Sequence, residues 1–393
     1  MGIKIKGVSA LHCRKIIGLL LSLLIVIGTG IVPMGAWAYD GDTDTRTEEI
    51  LESMSLHEKV CQMMIMYQSQ MPEVSGKVST TETGEALRAS LEKWPVGGIL
   101  YDASNMKSHT QLTELIEKGQ SYSKYPMFTA VDEEGGRVAR VGNTLGYLIG
   151  DAATIGAMLT FENSGTDVAY KNANIIGQNI ISHGLNLDFA PVADVHSNPA
   201  NPVINTRAYA TTFDGAANLI PYAVNGYHDA GVACTLKHYP GHGDTSSDSH
   251  TGVTYAEKTV EQIREEELQP FRAGIDAGSD MVMSAHITVR EVGVPSVFSE
   301  DITMGLLREE NGFDGVVITD GLGMQAVTNY YTIEQVCQKA IDSGVDMFCC
   351  FANLETAVNY VENAVIDGTL TENRIDESVR RIIKCKLERG IMS

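Results

Sequence analysis

Short apolar runs alternate along this chain with stretches whose apolar residues recur every three or four positions. The runs are "VGGILY" (96–101), "PMFTAVD" (126–132), "LNLDFAPV" (185–192), "VACTLKHY" (232–239), "DMVMSAHI" (280–287), "GVVITD" (315–320) and "VDMFCC" (345–350). Most are apolar almost without a break, as strands of a parallel sheet covered on both faces must be. They predict seven strands. Between them the spacing predicts helices, among them 208–230, 259–277 and 333–343. The stretch "TEEILESMSLHEKVCQMMIMY" (47–67) also has helical spacing, and Ser55 followed by Glu58 predicts an N-cap and a second helix start. Residues 39–46 are polar and expected to fray. "ENRIDESVRRIIKCKLERG" (372–390) reads as a capped amphipathic helix, the last of the chain.

Repeated strand–helix alternation leaves two architectures, a doubly wound open sheet or a closed β/α barrel. Polar residues favour the second. Asp132, Asp194, Lys237 with His238, His286 and Asp320 all stand at the C-terminal ends of strand candidates. In a barrel those ends ring one mouth. In an open sheet only those at the switch point would converge. The expected fold is therefore α/β, a TIM-like (β/α)8 barrel forming one domain over 47–393. Its eighth strand is not placed by the pattern.

Residues 1–38 stand apart. Lys4, Lys6, Arg14 and Lys15 precede an apolar run (16–32), and Ala36-Trp37-Ala38 fits a cleavage site. This predicts a secretory signal and an exported bacterial protein, secreted or held at the cell surface. Left uncleaved, the run is just long enough for a membrane anchor. The 393-residue chain has a formal charge of −21, and without the first 38 residues 25 basic side chains face 50 acidic ones. Such a surface repels phosphate backbones and anionic lipid. No nucleic-acid partner is expected, and membrane association only through the N-terminal segment. Six cysteines follow position 38, without metal-type spacing and too sparse for a disulfide scaffold. Cys234, Cys349 and Cys350 lie in apolar runs and read as core.

The chemistry gathers in "KHYPGHGDTSSDSH" (237–250). Pro240, Gly241 and Gly243 break regular structure there. The loop brings together His238, His242, Asp244, Asp248 and His250. Imidazoles and carboxylates suit zinc, but Pro240 and Gly241 interrupt the His238–His242 interval, so a helical pair of ligands is not expected and no metal is assigned. Acid–base work is the other reading. Asp248 and His250 are two apart, on one side of an extended segment. The carboxylate would fix the imidazole's tautomer, leaving its second nitrogen to move protons near neutrality. A loop merely held by His–Asp hydrogen bonds remains open on spacing alone. Asp320, at the end of "GVVIT", is a carboxylate at a buried strand end, suited to a nucleophile or to a partner for a developing cation; capping the next helix is the plainer role. In "VDEEGGRVARVG" (131–142), Asp132 with Arg137 or Arg140 could grip sugar hydroxyls or form a structural salt bridge. Arg207 alone reads as surface.

Taken together, "MSLHEKVCQM", "VDEEGGRVAR", "LNLDFAPVADV", "KHYPGHGDTSSDSH" and "ITDGLGM" resemble glycoside hydrolase family 3, in that order and across nearly the whole chain after position 38. Within it they resemble the exo-acting β-N-acetylglucosaminidases. The resemblance implies a barrel, a retaining double displacement and no cofactor. It implies Asp320 as nucleophile, His250 as general acid/base and Asp248 as its orienting partner. Asp132, Arg140, Arg207, Lys237 and His238 match sugar-contacting positions. This departs from the usual pair of carboxylates in glycosidases. The chain ends with the barrel, so the proton donor is expected from a barrel loop rather than a second domain. Gly321 and Gly323 stand where the family often has Asp and Ser, which bears on the nucleophile loop but not on Asp320.

The expected partner is a carbohydrate, such as peptidoglycan fragments or chitin oligosaccharides, and the expected state a monomer. Within the same family a β-glucosidase, a β-xylosidase or an N-acetylglucosaminide phosphorylase remains open. A non-catalytic glycan-binding protein is the alternative from another class, although it would be expected to have lost side chains that are present here.

Overall fold

The computed structural model describes residues 42–147, 149–162, 165–247 and 252–393, with the side chains of 42 and 159–162 excepted. Residues 42–393 form one compact unit. Its centre is a ring of eight parallel strands: β1 (Met64–Tyr67), β2 (Gly98–Tyr101), β3 (Phe128–Val131), β4 (Leu187–Asp188), β5 (Ala233–Tyr239), β6 (Met281–Ser284), β7 (Val316–Thr319) and β8 (Phe348–Cys349). From β1 to β7 each pairs with the next in chain order, and β8 pairs with β1 through Met64–Phe348 and Ile65–Cys349. One parallel bridge, Ile318 to Met347, joins β7 to the start of β8. The fold is thus a nearly closed TIM-like (β/α)8 barrel.

All seven strand candidates hold a barrel strand. The unplaced eighth is β1, which occupies the end of the stretch expected to be helical. There the helix Leu56–Gln62 stops and Met64–Tyr67 extends. A run of four apolar residues carries no period of its own, so it could not be told from a buried helical turn. The start of that helix is as the sequence requires. The Ser55 hydroxyl accepts the Glu58 N–H, and Glu58 returns a bond to the Ser55 N–H at 2.9 Å. Such a cap stabilises by about 1 kcal/mol.

The helices Phe213–Asp229, Ile333–Asp342 and Glu372–Glu388 lie within their predicted ranges, while 259–277 divides into Val260–Glu265 and Leu268–Asp276. Residues 42–46, expected to fray, are instead the first turns of helix Asp42–Ser53. That helix packs on Glu372–Glu388, with Arg380 bound to Glu48 at 2.5 Å and Lys384 3.3 Å from Asp44. Polar residues there meet charged partners from the other end of the chain, which local pattern does not reveal.

Strand β5 is buried over all seven residues, Lys237 and His238 included. A lysine in such a place requires charged partners. Those partners build the site.

Candidate active site

Beyond β3 the chain carries Asp132 and then a short hairpin, Glu133–Gly135 against Val138–Ala139. Gly136 turns it at φ +57°, where an added Cβ would come within 2.5 Å of the Asp151 Cβ. Glu133 accepts the N–H groups of Val141 at 2.7 Å and Gly142 at 2.9 Å, and the Tyr147 hydroxyl at 2.8 Å. This buried carboxylate fixes the loop. Side chains alternate along an extended segment, so its neighbours Asp132 and Glu134 face the barrel mouth.

There they meet Lys237. Its Nζ lies 2.7 Å from Asp132 Oδ1 and 2.6 Å from Glu134 Oε1. Arg207, from the short turn Asn205–Arg207, grips Glu134 with Nε at 2.7 Å and Nη2 at 2.8 Å. The same Nη2 is 3.3 Å from His238 Nε2. Arginine only donates, so Nε2 accepts and the ring's proton sits on Nδ1. Nδ1 in turn is 2.6 Å from Asp194 Oδ2. Asp194 also accepts the backbone N–H groups of His238 at 3.1 Å and His242 at 2.6 Å. Burial alone would raise the Glu134 carboxyl, but the charges of Arg207 and Lys237 outweigh it and hold it well below the usual carboxylate range. Burial works against Asp194 too, and its contacts with His238 and His242 bring it below its ordinary value. Burial would lower Lys237; Asp132 and Glu134 raise it instead.

Asp320 follows β7 directly. Its backbone N–H donates to Ser284 O of β6 at 3.0 Å, and its Oδ1 accepts the Gly321 N–H at 2.7 Å. His286 Nε2 lies 3.1 Å from Gly321 O and steadies the same turn. Asp320 does not cap the next helix, Gln325–Thr328, whose N-cap is Met324 without a side-chain bond. It lines a cavity of about 530 Å³ together with Asp132, Arg140, Arg207, Lys237 and His238. Arg140 Nη2 is 3.9 Å from Asp132 Oδ2. Arg137, the other arginine considered beside Asp132, reaches the backbone carbonyls of Val203 and Ile204 instead. Arg207, which reads as surface in isolation, has a side chain only 11% exposed.

The histidine-rich loop is rooted firmly on its described side. Asn201 Nδ2 donates to His242 O at 2.7 Å and Asn198 Nδ2 to Asp244 O at 3.1 Å. Gly243 passes so close to Val195 that a Cβ would lie 1.6 Å from its carbonyl oxygen. His242 Nδ1 is 2.7 Å from Thr245 Oγ1; burial and then His238 lower its pKa, while the Asp320 charge is near enough to raise it. Ser247 Oγ donates to Thr254 Oγ1 at 3.2 Å, drawing the loop's two ends together. Asp248 and His250 lie outside the described residues. Both ring nitrogens of His238 are engaged, by Asp194 and Arg207, which leaves no lone pair there for an ion. Among the described residues, metal-type atoms converge elsewhere, at His228, Cys234 and Asp280. There Arg389 already supplies the cation, with Nε 2.5 Å from Asp280 Oδ1 and Nη2 3.3 Å from His228 Nδ1.

Two features escaped the sequence reading. Glu134 bridges Lys237 and Arg207, yet in "DEEGG" nothing distinguishes it from Glu133. Cys349 and Cys350, expected as core, are buried but form part of the cavity wall. The cause is a left-handed residue, Cys350 at φ +58°, which a sequence does not announce outside glycine.

The family model of the glycosyl hydrolase family 3 N terminal domain matches residues 55–385. A beta-hexosaminidase A of Pseudoalteromonas piscicida is 31% identical over 347 residues, covering 81% of this chain and 58% of that protein. A beta-hexosaminidase of Idiomarina loihiensis is 31% identical over 318 residues, covering 80% of this chain and 92% of that protein. The solved structure of a glycoside hydrolase family 3 beta-N-acetylglucosaminidase from Paenibacillus sp. shares 34% identity at a TM-score of 0.78, covering 86% of this chain and 63% of that one. The chain thus spans less than two thirds of the Pseudoalteromonas and Paenibacillus proteins. From the match over residues 55–385, this chain belongs to glycosyl hydrolase family 3.

Proposed function

We propose that this chain is an exo-acting, retaining β-N-acetylglucosaminidase. One observation carries the reading: Asp320 lines the same barrel-mouth cavity as Asp132, Arg140, Arg207, Lys237 and His238. A fixed carboxylate beside donors and acceptors suited to sugar hydroxyls is what displacement at an anomeric carbon needs. The hexosaminidase relatives support N-acetylglucosamine as the sugar.

In this mechanism Asp320 attacks the anomeric carbon as the glycosidic oxygen leaves. His250, protonated and oriented by Asp248, donates to that oxygen. A covalent glycosyl–Asp320 forms with inverted configuration. Neutral His250 then takes a proton from water, which displaces Asp320, and two inversions give net retention. Asp132 and Arg140 hold hydroxyls of the terminal sugar, and Arg207, Lys237 and His238 complete its pocket. Export through the N-terminal segment would bring the enzyme to β-linked N-acetylglucosamine in peptidoglycan fragments or chitin oligosaccharides.

The test is hydrolysis of aryl β-glycosides of N-acetylglucosamine, glucose and xylose, with and without phosphate, following the anomer released by NMR. Turnover of the N-acetylglucosaminide with retention, lost in Asp320→Ala, supports the reading. Preference for glucose or xylose, a phosphorylated product, or activity surviving in Asp320→Ala overturns it.

A further inference from the structure

Cys349 and Cys350 are adjacent in sequence and both line the cavity that holds Asp320. Successive side chains of an extended strand point to opposite faces, so two neighbouring thiols should diverge. They do not, because Cys350 takes a left-handed φ of +58° at the end of β8. Its Sγ is brought to 3.7 Å from that of Cys349. Two thiolates on one tetrahedral zinc-type ion, with bonds of about 2.3 Å, stand roughly 3.8 Å apart. The pair already has the span of two such ligands.

We propose that Cys349 and Cys350 form a binding site for a thiophilic divalent cation of the zinc–cadmium class, set in the wall of the sugar cavity, so that occupancy excludes substrate. Asp320, on the wall of the same cavity, makes the surroundings favourable to an incoming cation. On binding, two S–H bonds break and two metal–sulfur bonds form, and both protons pass to solvent. No electron is transferred. Water would fill the remaining coordination positions. Of the other cysteines described, Cys61, Cys337 and Cys385 are buried away from this cavity, and Cys234 belongs to the cluster neutralised by Arg389.

The competition with substrate rests on the glycosidase reading; the binding does not. The experiment therefore has two arms, both on the reduced full-length protein. Equilibrium dialysis with Cd²⁺ should find one ion per chain, with a sulfur-to-cadmium charge-transfer band in the ultraviolet. The band should vanish in Cys349→Ser and in Cys350→Gly, the latter suited to the left-handed backbone, and persist in Cys234→Ser. On an aryl N-acetylglucosaminide, Cd²⁺ should raise KM without lowering kcat, with full recovery after EDTA. Absence of stoichiometric binding, a band that survives both pair variants, or its loss in Cys234→Ser overturns the site. Binding by the pair that leaves KM unchanged overturns its exclusion of substrate. If no glycoside is hydrolysed at all, dialysis and absorbance still decide whether the pair binds the ion.

Discussion

Asp194 holds His238 twice, at 2.6 Å through ring Nδ1 and at 3.1 Å through the backbone N–H. With its second oxygen it holds the His242 N–H, at the root of the loop that carries Asp248 and His250. One buried carboxylate therefore sets both a ring lining the Asp320 cavity and the base of the histidine-rich loop. Asp194→Asn keeps the shape but turns a donor toward one of these N–H groups. A misplacement of ~1 Å costs about 100-fold in rate. The expected result is a loss of kcat/KM of that order, with circular dichroism unchanged. Near wild-type kinetics would contradict the positioning role.

Glu134 stands between two buried cations. Glu134→Ala would leave Lys237 and Arg207 facing each other without a counter-charge. Removing one partner of a buried ion pair destabilises by about 3–5 kcal/mol. Urea unfolding should show a loss in that range; a change under ~1 kcal/mol would mean that water reaches the pair.

His250 is expected to act only where the leaving group needs a proton. His250→Ala should lower kcat/KM by about 10²–10⁴ for an alkyl or sugar leaving group, the usual range for a general acid. The loss should shrink for an acidic nitrophenol, which departs unaided. A loss equal across leaving groups would speak against His250 as the donor.

The proposed reaction uses no metal. Dialysis of the enzyme against EDTA should leave hydrolysis of the aryl N-acetylglucosaminide unchanged. A loss that zinc restores would put a cation into the reaction and revive the reading of the loop as a ligand set.

Lys386 is wholly buried, with Nζ 2.8 Å from Gln62 Oε1 and 5.0 Å over the Phe128 ring. Burial pushes its pKa down to about 7. In the unfolded chain a lysine titrates near ~10.4. The fold thus prefers the neutral amine. Below about pH 7 it must carry the buried charge and bears the whole cost, which fades as pH rises towards ~10. Stability relative to Lys386→Met should therefore climb with pH between about 7 and 10. A difference that stays flat across that window in denaturant unfolding would refute the shift.

Much of this was legible because β/α repetition and polar strand ends are properties of short segments. Seven strands, the Ser55 cap and the place of Asp320 needed no tertiary knowledge. The misses share a cause. Met64–Tyr67 is a strand only because β2 and β8 flank it. Arg207 belongs to the site only because Glu134, 73 positions earlier, folds beside it. Cys350 turns inward through a backbone angle that its side chain does not encode.

The ion-paired chain from Asp132 to Asp194 also bears on what could attack the proposed glycosyl intermediate. Four carboxylates (Asp132, Glu134, Asp194 and Asp320) meet three cations (Lys237, Arg207 and Arg140). The formal balance among these described residues is one negative charge, and Lys237 and Arg207 are already spoken for. An incoming phosphate dianion would meet that net negative charge, with Arg140 the one cation among these residues not held by Glu134. Water and the hydroxyl of another sugar would meet no such barrier, which supports the proposed transfer to neutral acceptors.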